Sequence, residues 1–214
     1  QFEQFIGANL LYEFLQVDDV TSQFNKAATV TYGFNLRDLD HQQAPTKGWI
    51  FNTQFQLSPF ERISDGRFLQ SQARVQAFYP LTSSTQWLGR LEVGSVNGSA
   101  NSVPATYLFR AGGDQSVRGY AFQSLGVNEG GATVGGRVLL TGSSEVVQWL
   151  TPSWGAALFV DFGNAANSWK DYDPVLGYGV GARFRSPIGP VGVDIAYGEE
   201  TKEYRLHFNL GVNF

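Results

Sequence analysis

The feature that most constrains this chain is a strict two-residue alternation of apolar and polar side chains, repeated segment after segment. In the last stretch, Tyr204, Leu206, Phe208, Leu210, Val212 and Phe214 fall on one face, and Arg205, His207, Asn209, Gly211 and Asn213 on the other. Ala28, Val30, Tyr32, Phe34 and Leu36 alternate with Thr29, Thr31, Asn35 and Arg37. Trp49, Phe51, Thr53, Phe55 and Leu57 alternate with Asn52, Gln54 and Gln56, and Tyr178, Val180, Ala182 and Phe184 with Gly179, Gly181, Arg183 and Arg185. A period of two means strands with two unlike faces. The polar face repeatedly carries Arg, Gln and Asn, which suits a wet lumen rather than the second layer of a soluble β-sandwich.

The pattern places strands at 2–16, 25–37, 47–58, 67–79, 85–96, 132–146, 153–163, 175–186, 190–198 and 203–214. The expected fold is all-β: an antiparallel transmembrane β-barrel of about ten strands in one domain, 1–214. Three tight connections, at 80–84, 150–152 and 186–190, share one side; longer ones, the fifth spanning about 97–131, share the other. That asymmetry belongs to membrane barrels. Two connections depart from it: 38–47 is long on the short side, and 198–202 is short on the long side. An open sheet would expose unpaired backbone to lipid, so closure into a small barrel is expected over pairing with another copy.

No run of 18 apolar residues is present, so a transmembrane helix is excluded. Seventeen Phe, nine Tyr and five Trp provide for aromatic girdles, and 25 Gly for turns. A net charge of -4, with basic and acidic residues interspersed, argues against a nucleic-acid partner. The absence of cysteine removes disulfides and thiolate metal sites, and neither a metal nor a cofactor is expected. The chain lacks both methionine and a signal peptide, and so reads as a mature or excised piece of a longer precursor.

The fifth connection carries Arg110-Ala111-Gly112-Gly113-Asp114-Gln115-Ser116-Val117-Arg118-Gly119-Tyr120. This segment resembles the sixth extracellular loop of the BamA/TamA superfamily of outer-membrane assembly and translocation proteins, with its Val/Ile-Arg-Gly-Tyr/Phe hallmark. Phe159–Asn164, Gly179–Pro190 and Leu206–Gly211 also match that family, in the right order. Within the superfamily the likeness is greatest to TamA, the outer-membrane subunit of the translocation and assembly module.

The resemblance implies the C-terminal ten strands of a sixteen-strand barrel, lacking the N-terminal strands and the periplasmic POTRA domains. It implies a non-enzymatic factor of the Gram-negative outer membrane that helps insert or secrete autotransporter-type β-barrel clients. Its partners would be the lipid bilayer, client outer-membrane proteins, a TamB-like periplasmic protein and the barrel-assembly machinery for its own insertion. A two-partner secretion transporter and a passive pore are the rival readings.

The resemblance also assigns residues. The loop, with Gly112, Gly113, Asp114, Val117, Arg118, Gly119 and Tyr120, would fold into the lumen, and Arg118 would pair with an acid on the wall. Alternation turns Asp161 inward, opposite the apolar Trp154, Leu158 and Val160, and Glu145 is a second candidate. Arg183, Arg185 and Arg205 would form a basic lumen wall. Phe208, Leu210, Gly211 and Phe214 would form a C-terminal assembly signal, recognised by strand pairing. No catalytic residue is expected: His207, Asp194 and Ser186 can be drawn as a triad, but no Gly-x-Ser-x-Gly elbow occurs.

Overall fold

The structure is a computed structural model describing residues 1–17, 21–59, 62–98, 103–186 and 189–210, with the side chains of all but 14–17 and 21–24. Its strands are β1 (Phe2–Val17), β2 (Thr21–Leu39), β3 (Gly48–Ser58), β4 (Phe68–Pro80), β5 (Thr85–Gly98), β6 (Val127–Glu129), β7 (Ala132–Val134), β8 (Val138–Trp149), β9 (Trp154–Ala166), β10 (Val175–Ser186), β11 (Gly189–Gly198) and β12 (Glu203–Leu210). Ten of them make one antiparallel sheet in chain order, β1 to β5 and then β8 to β12, while β6 and β7 form a small hairpin inside the long loop. Among the described residues no ladder joins β12 to β1.

The alternation read from the sequence becomes a register of matched faces. Tyr32 lies opposite Phe55, Leu57 opposite Leu69, Val75 opposite Leu91, Val160 opposite Tyr178 and Ile195 opposite Leu206. These side chains are not sandwiched. Ile6 is 78% exposed, Leu158 64% and Leu210 75%, a greasy outer surface that water would not tolerate but acyl chains would. Aromatic contacts flank this band. Tyr178, Tyr197 and Tyr204 stack in series near the loop end, and Phe2, Phe34 and Phe51 near the short-turn end. The soluble-sandwich alternative is thereby excluded.

The sixth expected strand, 132–146, is shifted: β8 begins at Val138, and residues 132–134 belong to the loop hairpin. Gly135 and Gly136 cause the break. A Cβ on Gly136 would press on the Ala166 backbone, so the chain crosses here instead of extending the ladder. The long loop therefore continues to residue 137. The anomalous 40–47 connection is explained too: it folds inward, burying Pro45, whose carbonyl accepts a hydrogen bond from Gln86 Nε2 at 2.8 Å.

The buried core lies on the concave side of the sheet. Tyr107, Phe109 and Ala111 of the loop pack against Ala27, Phe68, Val96, Leu139 and Ala165 from the surrounding strands. Phe109 lies across Gly94, where any Cβ would overlap its ring. The loop occupies part of this concave side, leaving an open space of about 790 Å³ between it and β4, β5 and β12.

Candidate functional site: the docked loop

The site starts from backbone freedom. Gly112, Gly113 and Gly119 adopt φ of +103, +99 and +95, which L side chains avoid. They turn the chain down into the sheet's concavity and leave Val117, Arg118 and Tyr120 buried. Gly119 abuts Gly198 and Tyr197 backbone atoms of β11, so a side chain there would push the loop off the wall. On β10, Gly177, Gly179 and Gly181 present a bare inner face, and a Cβ on Gly177 would overlap the Arg118 carbonyl. The Gly-Tyr-Gly-Val-Gly stretch thus makes room for the loop.

Arg118 stands among three wall carboxylates. Its Nε donates to Asp161 Oδ2 at 2.7 Å and its Nη2 to Asp161 Oδ1 at 2.9 Å, a two-pronged pair. Its Nη1 donates to Glu145 at 2.8 Å and to Asp194 at 3.0 Å. The Arg118 backbone N–H also reaches Asp161 Oδ2 at 3.0 Å. The guanidinium carbon lies over the Phe159 ring, 3.4 Å from its centroid. Arg183 completes the network, contacting Glu145 at 2.7 Å and Asp194 at 2.5 Å. Two cations thus meet three carboxylates in a nearly dry layer. Burial alone would lower the Arg118 pKa, but the Asp161 hydrogen bond and charge, then Glu145 and Asp194, raise it above its ordinary value.

The loop is tied to the last strand as well. The Gly119 N–H donates to His207 Nε2 at 2.9 Å, and His207 Nδ1 meets the Asp114 carboxylate. Tyr120 donates its hydroxyl to the Leu176 carbonyl at 2.9 Å and accepts from the Glu200 N–H at 3.2 Å. At its outer end the loop touches the opposite wall. Glu13 of β1 accepts from the Ala105 N–H at 2.9 Å, Thr29 of β2 bonds Tyr107 Oη at 3.2 Å, and Gln70 of β4 donates to the Tyr107 carbonyl at 2.9 Å. One loop spans the sheet from its first strand to its last.

The structure brings Arg118, Asp161, Glu145 and Arg183 together but separates the other two wall arginines. Arg185 stacks on Trp149 at 3.7 Å, away from Arg118, and Arg205 pairs with Glu203 at 2.7 Å, more than a third exposed. Phe208 and Leu210 face outward, whereas Gly211 and Phe214 lie outside the described residues. Sequence reasoning missed Asp194 as an Arg118 partner, although inward alternation on β11 would have exposed it. It missed the Tyr107 anchor for want of any signal.

Fold and site together define an antiparallel barrel-type wall with a loop inserted on its inner side. The Omp85 superfamily domain matches residues 4–214, and the chain belongs to that superfamily. It is similar to the outer membrane protein assembly factor BamA of Nitratidesulfovibrio vulgaris, 27% identical over 95% of this chain. The chain spans only 28% of that relative's length. Outer envelope protein 80 of Arabidopsis thaliana chloroplasts is 31% identical over 49% of this chain and 14% of its own. The crystal structure of BamA from Haemophilus ducreyi lacking POTRA domains 1–3 shares the fold, with a TM-score of 0.75 and 22% identity over 91% of this chain and 44% of that one. The protein belongs to the Gram-negative outer membrane and to a superfamily of assembly and transport proteins rather than enzymes.

Proposed function

We propose that this chain is the barrel domain, 1–214, of an outer-membrane protein assembly factor that helps β-barrel clients into the membrane. The observation carrying this reading is the loop itself. A passive pore has no use for a loop that is inserted into its bore and ties the last strand to the first half of the sheet. The name of the Nitratidesulfovibrio relative supports the same activity.

In this reading the docked loop holds the sheet's curvature, and an edge strand with alternating outward Tyr204, Leu206, Phe208 and Leu210 offers its backbone to a client strand. At finer grain the four sequence motifs favour the TamA type, with autotransporter-type clients and a TamB-like periplasmic partner in the full-length protein. Arg118 is the residue that keeps the loop seated, with Asp161 and Glu145 as its wall partners.

The test is client insertion into proteoliposomes holding the full-length protein, scored by the client's heat-modifiable migration. Insertion should accelerate with the wild-type protein and fall back with Arg118→Ala. Equal insertion with and without the protein, alongside a large steady conductance indifferent to client, would replace this reading with the pore.

A further inference from the structure

Among the described residues, the side-chain hydrogen bonds between β12 and the loop run through His207. Arg205, on the same inward face, turns instead to Glu203 of its own strand. β12 ends the sheet and is laddered only to β11 among the described residues, so little else fixes the position of its far edge. The geometry also sets which ring nitrogen carries the proton. The Gly119 N–H donates to Nε2 at 2.9 Å, so Nε2 offers its lone pair and the ring proton sits on Nδ1, facing the Asp114 carboxylate. His207 therefore bridges two turns of the loop as a neutral imidazole. It adjoins the guanidinium–carboxylate lattice without being part of it, and this bridge can part alone.

A proton added at Nε2 sets two donors against each other, and the buried Gly119 N–H loses its acceptor. Charges of both signs surround the ring. Asp114 faces it from the loop, and Asp194 is its cross-strand partner on β11, already shared by Arg118 and Arg183. Arg118 precedes Gly119, Arg205 lies on the same face of β12, and Arg74, Arg110 and Glu92 line the space of about 790 Å³ beside it. These charges govern how readily the ring takes a proton, but none of them lets a protonated Nε2 accept one. The protonated ring, still paired with Asp114, has room to swing, because both residues line that open space. Carboxylates ordinarily titrate near about pH 4, so the Arg118 lattice outlasts the bridge on mild acidification. We propose that His207 is a positioning residue, a latch that holds the edge of β12 in place for an incoming strand while its imidazole is neutral. Protonation opens the latch and leaves Arg118 seated. The positioning role rests on the assembly reading, whereas the latch is a property of the protein alone.

The experiment is residue-resolved hydrogen exchange on the full-length protein in neutral detergent, at about pH 8 and about pH 5, the range across which histidines change charge. Rates are corrected for the intrinsic pH dependence of exchange. In the wild type, protection of the Gly119 amide should fall about tenfold at the acid pH, the scale of one lost hydrogen bond, while the Arg118 amide, held by Asp161, keeps its protection. His207→Phe should show that loss already at the alkaline pH. His207→Gln, whose amide oxygen accepts without titrating, should keep Gly119 protected at both. In proteoliposomes at the alkaline pH, His207→Phe should slow client insertion several-fold and His207→Gln should restore it. Equal Gly119 protection at both pH values in the wild type, or an equal acid loss in His207→Gln, would overturn the latch. Should His207→Phe fail to fold by heat-modifiable migration, that comparison of wild type with His207→Gln decides. Undiminished insertion by a folded His207→Phe, beside an active wild type, would overturn the positioning role alone, whereas a wild type that inserts no client would overturn the assembly reading beneath it.

Discussion

The loop is anchored at two places, and the anchors differ in kind. The outer anchor, around Tyr107 and Phe109, is apolar packing plus neutral hydrogen bonds to β1, β2 and β4. The deep anchor, around Arg118, is a charged lattice on β8, β9, β10 and β11, continued to β12 by His207. An apolar anchor is a sum of small terms, and losing one contact leaves the rest. A buried charge lattice fails together, because each partner that departs leaves others uncompensated in a low-dielectric layer. The first half of the sheet therefore holds the loop forgivingly, and the second half holds it in one place or not at all.

The largest effect should come from Arg118→Ala. It strands Asp161, Glu145 and Asp194, and breaking a buried ion pair from one side costs about 3–5 kcal/mol. Limited proteolysis should reveal new cleavage between residues 110 and 125; an unchanged digest would remove the distinction between the anchors. Gly177→Ala should come next, at about 1–3 kcal/mol, because the new methyl displaces the Arg118 carbonyl without touching any charge. Its hydrogen-exchange signature should be faster exchange at Arg118 and Gly119, with Tyr107 unaffected.

Tyr107→Phe should be milder. It loses only the bond to Thr29 at the outer anchor, about 1 kcal/mol, and should leave cleavage near Arg118 as in wild type. The smallest effect belongs to Asp40, in the inward turn outside both anchors. Slight burial pushes its pKa up, but hydrogen bonds from the Thr46 hydroxyl and from the Lys47, Thr46 and His41 N–H groups outweigh it and bring it down to about 2. A depressed carboxyl pKa means the turn's extra stability is full above its ordinary 3.8 and disappears as pH falls toward 2. Asp40→Asn should flatten that acid dependence of turn protection without altering loop cleavage at neutral pH.

The sequence carries the two anchors unequally. Ten strands and their faces follow from the two-residue period, because a single slip in register would turn every Phe and Tyr inward. The pairing of Arg118 with Asp161 was accessible for the same reason: parity decides which carboxylates look inward. Parity also turned Arg185 and Arg205 inward, but it cannot tell which inward groups share a level, and these two sit apart from the lattice. The two-residue period alone starts this strand at 132 rather than at Val138, because Gly135-Gly136 resembles strand filler and nothing local reveals the Ala166 backbone against it. Tyr107 was invisible, since its partners Thr29 and Phe68 come from far along the chain and no local pattern connects them.

Arg118 and the wall carboxylates seat the loop as one unit. The most direct measurement is a double-mutant cycle on Arg118→Ala and Asp161→Ala, read as the rate of protease cleavage between residues 110 and 125. Each single change should accelerate cleavage strongly, and the double variant should be scarcely faster than either. Single changes without effect, or two effects that simply multiply, would contradict it.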